Sequence, residues 1–159
     1  MWINERESNL LDGAAHFYDT YECKDGKFIA VACIEDKFYK EMIDKLEIAD
    51  ERFLKQFDKD MWSELKAILR EKFLSKNRDE WAIIFKDSDA CITPILDLDE
   101  APKHEHNKSR STFIERDGVI QPNPSPRFSK TPLEVKSSPK KIGEDNSFVS
   151  EKYNISLPD

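Results

Sequence analysis

The sequence predicts an α+β fold: a small antiparallel sheet with hairpins, packed against about three helices and followed by an extended Pro-rich C-terminal arm. Three observations predict it. Asp25-Gly26 and Asp117-Gly118 each stand between short strand-like runs, apolar residues from Phe38 to Phe85 recur at steps of three and four, and beyond Gln121 a run of prolines mixed with Ser and Lys ends all periodicity.

The first hairpin is the most local of these features. In FYDTYEC, residues 17–23, Phe17, Asp19, Tyr21 and Cys23 share one face while Tyr18, Thr20 and Glu22 share the other, and aromatic residues and Thr favour a strand. Asp25-Gly26 suits a tight turn that needs positive φ, so FIAVACI at 28–34 returns antiparallel. Phe38, Tyr39, Met42, Ile43 and Leu46 then give an amphipathic helix from about Asp36 to Glu47. Asp58 or Asp60 caps a longer helix whose stripe is Met61, Trp62, Leu65, Ile68, Leu69 and Phe73. Asn77 or Asp79 caps a third, in which Trp81, Ile84 and Phe85 repeat the spacing.

ACITPIL at 90–96 reads as a short strand that Pro94 stops or confines to an edge. Leu96 to Ala101 reads as one acidic helical turn before Pro102, and TFIER and VIQ flank Asp117-Gly118 as a second hairpin that supplies the sheet's remaining strands. The organisation is thus an N-terminal linker segment over 1–16, a small α+β domain over 17–121 and an extended arm over 122–159. The arm ends in a short helix near Glu144–Tyr153, whose few apolar residues need another surface to dock on.

Composition narrows the function. A net charge of -7 argues against the basic face that nucleic acid requires, although a small phosphorylated ligand needs only a few Lys or Arg in one pocket. No apolar run approaches the roughly 20 residues of a membrane span, and MWINERESN lacks the basic start and apolar middle of a signal peptide. Cys23, Cys33 and Cys91 are odd in number and lack a C-x-x-C spacing, so they read as reduced core residues of an intracellular protein. His104-Glu105-His106 makes a poor metal site, because residues two apart do not share a helix face; no metal is expected. His16 has the chemistry of a base, yet no nucleophile or orienting acid adjoins it, and a lone His is more often structural. A Gly-rich phosphate loop and a G-x-S-x-G are both missing from the sequence.

Glu35 stands where the second strand hands over to the first helix. In one reading it is a first-turn acid that suits the helix dipole, a role shared with Asp36. In the other it is a carboxylate held on rigid structure so that it can orient a partner group. Spacing alone does not choose between them.

Several stretches, read together, resemble a known family. NLLDGAAHFYDTYECKDGKFIAVACIEDKFY, WSELKAILREKF, DEWAIIF, DACITPILDLDEA, HEHNKSRSTFIE and SPRFSKTP are similar, in order, to the C-terminal half of the alpha-methylacyl-CoA racemases, within the family III CoA-transferase superfamily. The resemblance covers about residues 8–132, with IGEDNSFVSEKY at 142–153 weakly similar to a helix near the end of those enzymes. It implies a small domain and return arm from an interlocked homodimer whose CoA-holding large domain has no counterpart in this chain. It implies an acyl-CoA substrate and a 1,1-proton transfer at the carbon next to the thioester carbonyl. No cofactor is implied beyond the coenzyme A carried by the substrate.

In that family a His and an Asp of the large domain carry the protons, and a small-domain Glu in I-E-P-Q-F orients the His. Ile34-Glu35-Asp36-Lys37-Phe38 matches this motif, so the resemblance assigns Glu35 that positioning role. No substrate- or CoA-binding residue is identified. The chain is expected to be inactive alone and to form a homodimer or associate with a full-length relative, in a mitochondrion or peroxisome. Two rival readings are a fragment of a family III CoA-transferase and a non-enzymatic module that docks on such a relative. Three departures stand out: LDGAAHFY where the family usually has L-D-G-G-A-P-F-Y, Asp36 in place of Pro, and Ser111 in place of the Gly of R-G-x-F.

Overall fold

Alternation in the first hairpin is realised in the backbone. A computed structural model describes residues 2–157; Met1, Pro158 and Asp159, at the ends of the expected linker segment and arm, lie outside the described residues. Strand β1 (Tyr18–Glu22) pairs antiparallel with β2 (Phe28–Ala32), from Tyr18 opposite Ala32 to Glu22 opposite Phe28. Phe17, Tyr21 and Cys23 are buried on the inner face, while Thr20 and Glu22 are exposed on the other. The turn is wider than a two-residue one. Gly26 N–H donates to Cys23 O and Cys23 N–H to Lys27 O, and Gly26 takes the positive φ of 73° that such a bulged turn places on Gly. Strand β3 (Ile92–Pro94) adds antiparallel to the other side of β2, giving the order β1-β2-β3 with Pro94 on an edge strand.

Three helices cover this sheet. Helix α1 (Asp36–Lys45) follows β2 directly, α2 (Lys59–Phe73) starts after an Asp58 side chain that accepts the Asp60 N–H, and α3 (Arg78–Ile84) starts after Asn77, whose N–H donates to the Glu80 carboxylate at 2.9 Å. A 3-10 turn over Glu51–Leu54, not evident from periodicity, links the first two. Ile29, Val31, Met42, Leu46, Leu65, Leu69, Phe73 and Trp81 close the core between sheet and helices. Burying each such large apolar side chain contributes about 1.5–3 kcal/mol before the loss of chain entropy is counted.

His16 sits inside this core, fully buried, with its ring edge-on to Phe17, Tyr39 and Phe53. Its Nε2 lies 2.7 Å from Tyr39 Oη, and that hydroxyl donates to Phe53 O at 3.0 Å. A phenol has one proton, so with that proton committed to Phe53 the hydroxyl receives the Nε2–H, and Nδ1 is left as a buried acceptor without a hydrogen-bond partner. Tyr21 Oη closes the other side by donating to His16 O. Burial pushes the imidazole pKa down to about 4.

The chain divides into two compact units, Met1–Ile95 and Leu96–Asp159. In the second, Asp97 accepts the N–H groups of Asp99 and Glu100, and Ala101 N–H donates to Asp97 O at 2.9 Å, so the expected acidic helical turn closes there and runs on into a 3-10 turn over Ala101–Lys103. Pro102 fits there because the first helical positions need no N–H. Helix α4 (Glu105–Ser109) takes in His106, with His104 at its N-cap. Strands β4 (Phe113–Arg116) and β5 (Val119–Pro122) form a hairpin with a two-residue turn in which Asp117 and Gly118 both take positive φ, 50° and 78°. The sequence predicts that this pair supplies the sheet's remaining strands, but it makes its own two-stranded ladder apart from the three-stranded sheet; Val119 and Ile120 stay exposed and Pro122 offers no N–H. Helix α5 (Asn146–Tyr153) leaves Phe148 and Tyr153 exposed, and Ile142 before it is fully exposed.

The buried imidazole makes stability depend on pH. The fold holds His16 neutral down to about pH 4, whereas the unfolded chain takes up a proton near 6.5, so stability present above 6.5 is lost as pH falls toward 4. Up to about 3 kcal/mol is expected to disappear across that window, and urea unfolding of His16→Leu should show a flatter pH profile than the parent between pH 6.5 and 4.5.

Candidate functional site

The backbone that carries Glu35 is bonded at each step. Ala32 N–H donates to Cys91 O at 3.1 Å, Cys33 N–H to Phe17 O at 2.9 Å, and Ile34 N–H to Ala32 O at 3.1 Å. The Cys33 and Ile34 carbonyls point out of the sheet just before the helix begins. Both accept from one buried amide, Gln56 Nε2, at 3.0 and 2.9 Å. Gln56 is itself fixed, because its backbone carbonyl accepts the Trp62 indole N–H at 2.9 Å. The Cys33 thiol, meanwhile, donates to Ala90 O.

Glu35 occupies the N-cap position of α1 with extended backbone (φ -74°, ψ 140°), and its carbonyl accepts the N–H groups of Phe38 and Tyr39 at 3.0 Å each. Its carboxylate makes no capping hydrogen bond and is exposed. The side chain therefore leaves the local helix start to the backbone and stands out from a hydrogen-bonded junction. Asp36, the second acid, pairs along its own helix with Lys40 at 2.7 Å.

One neighbour of Glu35 corrects an expectation. Cys23 and Cys33 are buried free thiols, but Cys91 is exposed, in a left-handed conformation with φ of 51°. The loop before β3 turns its side chain outward, where periodicity had suggested core. The Cys91 thiol pKa is raised by partial burial first and then by the Glu35 and Asp89 carboxylates, so the electrostatic field of Glu35 reaches it. Burial pushes Cys33 up to about 12 and Cys23 up to about 11, which leaves both inert as thiols.

The other candidates lie elsewhere. His16 belongs to the core, and His104 and His106 are exposed in the second unit. Among the described residues no group of three or more His, Cys, Asp or Glu is placed to hold a metal ion, and no helix is long and apolar enough to cross a membrane. Gln56 and Tyr39 escaped sequence reading: a Gln in a polar loop carries no periodic signal, and a Tyr in an apolar stripe looks like packing alone.

Comparisons place these features in a family. The CoA-transferase family III profile matches residues 3–146. The chain belongs to CoA-transferase family III. It is 37% identical, over 159 aligned residues, to "Alpha-methylacyl-CoA racemase" of Mus musculus, covering 98% of this chain and 42% of that protein. The Homo sapiens protein of the same name is 38% identical, with 98% and 41% covered. The chain thus spans less than half the length of these relatives. Among solved structures, a CAIB/BAIF family protein from Brucella suis matches with a TM-score of 0.64 at 25% identity, over 85% of this chain and 37% of that one.

Against the family III pattern, the departures in LDGAAHFY and at Ser111 have physical readings. In LDGAAHFY positive φ falls at Gly13 (92°) and not at Ala14, so the Cβ of Ala14 meets no conformational strain. His16 fills the core position described above. Ser111 takes φ of 48°, a left-handed conformation that favours Gly, while its carbonyl accepts from Asn123 Nδ2 and Arg127 Nη2 at 3.0 Å each. Arg110 caps α4 at the surface and Phe113 is half-buried in β4.

Three substitutions check this description. Gln56→Leu removes the donors of two carbonyls and is expected to cost about 2 kcal/mol in urea unfolding. Glu35→Gln should leave stability within about 0.5 kcal/mol, since the carboxylate supports nothing local. Ser111→Gly should raise the stability of the second unit by roughly 0.5–1 kcal/mol, read as slower amide exchange at Thr112 and Asn123.

Proposed function

We propose that this chain is the small-domain and return-arm part of an alpha-methylacyl-CoA racemase, and that Glu35 is its positioning residue. The observation that carries the reading is the exposed Glu35 carboxylate on a backbone bonded at each step, within an I-E-x-x-F sequence in a chain 37% and 38% identical to two proteins named as racemases.

The reaction explains why such a group is useful. The carbon beside a thioester carbonyl is a weak acid, so one group must remove its proton while another on the opposite face returns one, and donors must hold the enolate oxygen. In this reading an imidazole from a large domain on another polypeptide, or on another part of a longer chain, is one carrier. Glu35 accepts its Nδ1–H, selects the tautomer that keeps Nε2 toward the substrate, and stabilises the imidazolium that forms. The acyl-CoA substrate, association with a full-length relative or a second copy, and a mitochondrial or peroxisomal setting follow from the same reading. The chemistry asks for no cofactor beyond the coenzyme A of the substrate.

The test is deuterium wash-in at the α-carbon of an α-methylacyl-CoA in heavy water. The chain alone should give none. Mixed with the large-domain portion of the mouse racemase it should restore exchange, and Glu35→Gln should lower that exchange about a hundredfold. Exchange by the chain alone, or restored exchange that Glu35→Gln leaves intact, would overturn the reading; transfer of CoA from the acyl-CoA to a second carboxylic acid without wash-in would replace it with a transferase.

A further inference from the structure

The outer stripe of α2 carries charge of the opposite sign to the protein as a whole. Lys59, Ser63, Lys66 and Arg70 follow one another at steps of four, three and four, so successive turns present them on one side. They line a recess of about 310 Å³ together with Trp62 and with Glu7, Ser8 and Ala14 of the N-terminal segment. In a chain of net charge -7, this recess is lined by three cations and one carboxylate.

One cation there is tied to the protein and two stand exposed. Lys66 is 6% exposed, and its ammonium bonds Gly13 O and pairs with Asp19 Oδ2 at 2.7 Å. An ammonium has three N–H donors, so two protein partners leave one for the recess. Arg70 is exposed, with a fork of five N–H donors that suits the oxygens of a tetrahedral anion. Lys59, whose Nζ lies 5.6 Å from the Trp62 ring centroid, adds a positive charge at the other end of the stripe, and Ser63 brings a hydroxyl, while the Ser8 hydroxyl donates to Arg6 O at 3.3 Å. Asp19 offsets Lys66 and Glu7 offsets one more cation, yet the balance at the recess stays positive.

We propose that this recess is a binding site for the phosphomonoester group of a small soluble molecule. A phosphomonoester matches the site better than a carboxylate does, because it carries three terminal acceptor oxygens and up to two charges for an Arg fork, two ammonium groups and the Ser63 hydroxyl that line one recess. The recess is at the small end of the range for ligand sites, enough for a phosphate and a short organic body. The buried Lys66 gives it a fixed floor: with its Asp19 pair it cannot swing away when the site is empty, so binding does not first have to order that side chain. This site makes no use of Glu35 and does not depend on the racemase reading.

The experiment is a titration of the full chain with inorganic phosphate, and separately with glycerol phosphate, followed by calorimetry and by thermal shift at constant ionic strength. Saturable one-site binding with a dissociation constant of about 1 mM or tighter is expected for both, with no response to chloride or acetate. Arg70→Gln and Lys59→Gln should each weaken it by about tenfold or more, whereas Lys37→Gln on α1 should not; Lys66 is left in place because its loss would strand Asp19. Both test positions are exposed, so the variants should keep the parent melting temperature in buffer alone. An absent or non-saturable signal, an equal response to acetate, or binding that Arg70→Gln leaves unchanged overturns the proposal. Sedimentation with phosphatidic acid vesicles without any response to soluble phosphate overturns it too, in favour of a lipid headgroup.

Discussion

Two carbonyls and one amide hold the first unit to its shape. Where β2 becomes α1, the oxygens of Cys33 and Ile34 have left the sheet ladder and have no place in the helix ladder, yet they lie inside the protein. A buried carbonyl without a donor costs about 1–3 kcal/mol, a large share of the stability of a domain this size. The Gln56 side chain has two N–H donors, and both are used here, one for each oxygen. Because Trp62 in α2 holds the Gln56 backbone in turn, the start of α2 and the end of β2 are tied through one residue. The direction in which α1 leaves the sheet, and with it the position of Glu35, follows from that tie.

A second constraint lies beside it and is less well satisfied. Tyr39, one turn into α1, sends its proton to Phe53 in the 3-10 turn and takes one from His16. This brings the segment before β1, the first helix and the linker to α2 onto a single hydroxyl. The ring nitrogen left over, Nδ1, has no partner, and a cage of three aromatic edges surrounds the ring. The arrangement favours the neutral imidazole and gains packing, at the cost of one unpaired lone pair; this excludes His16 from acid–base work at neutral pH.

Much of the architecture could be read from residue order because it depends on local rules. Asp117-Gly118 demanded two left-handed residues and found them in a two-residue turn, and the Phe17, Tyr21, Cys23 face is the buried face. Asn77 with Glu80 and Asp58 mark their helix starts by side-chain chemistry alone. What escaped was whatever depends on partners far along the chain. Gln56 lies 22 and 23 residues from the carbonyls it serves, and nothing in its neighbours indicates that it is buried. Cys91 looked like core because its neighbours are apolar, and a left-handed backbone turned it outward. The second hairpin was legible as a hairpin, but not its failure to join the sheet. Position 35 was legible as a junction because a strand pattern gives way there to a helical one.

The β4–β5 ladder has a consequence of its own. Two four-residue strands that form a ladder of their own, tied to the arm through Arg116 and Val135 O and with Val119 and Ile120 open to water, are near the limit of what a hairpin holds. Such a pair unzips often and briefly, at a free energy far below that of the first unit. Wherever the protein meets a protease, cleavage should begin beyond Leu96 and spare the first unit, so the lifetime of the intact polypeptide is set by how constantly its second half is covered.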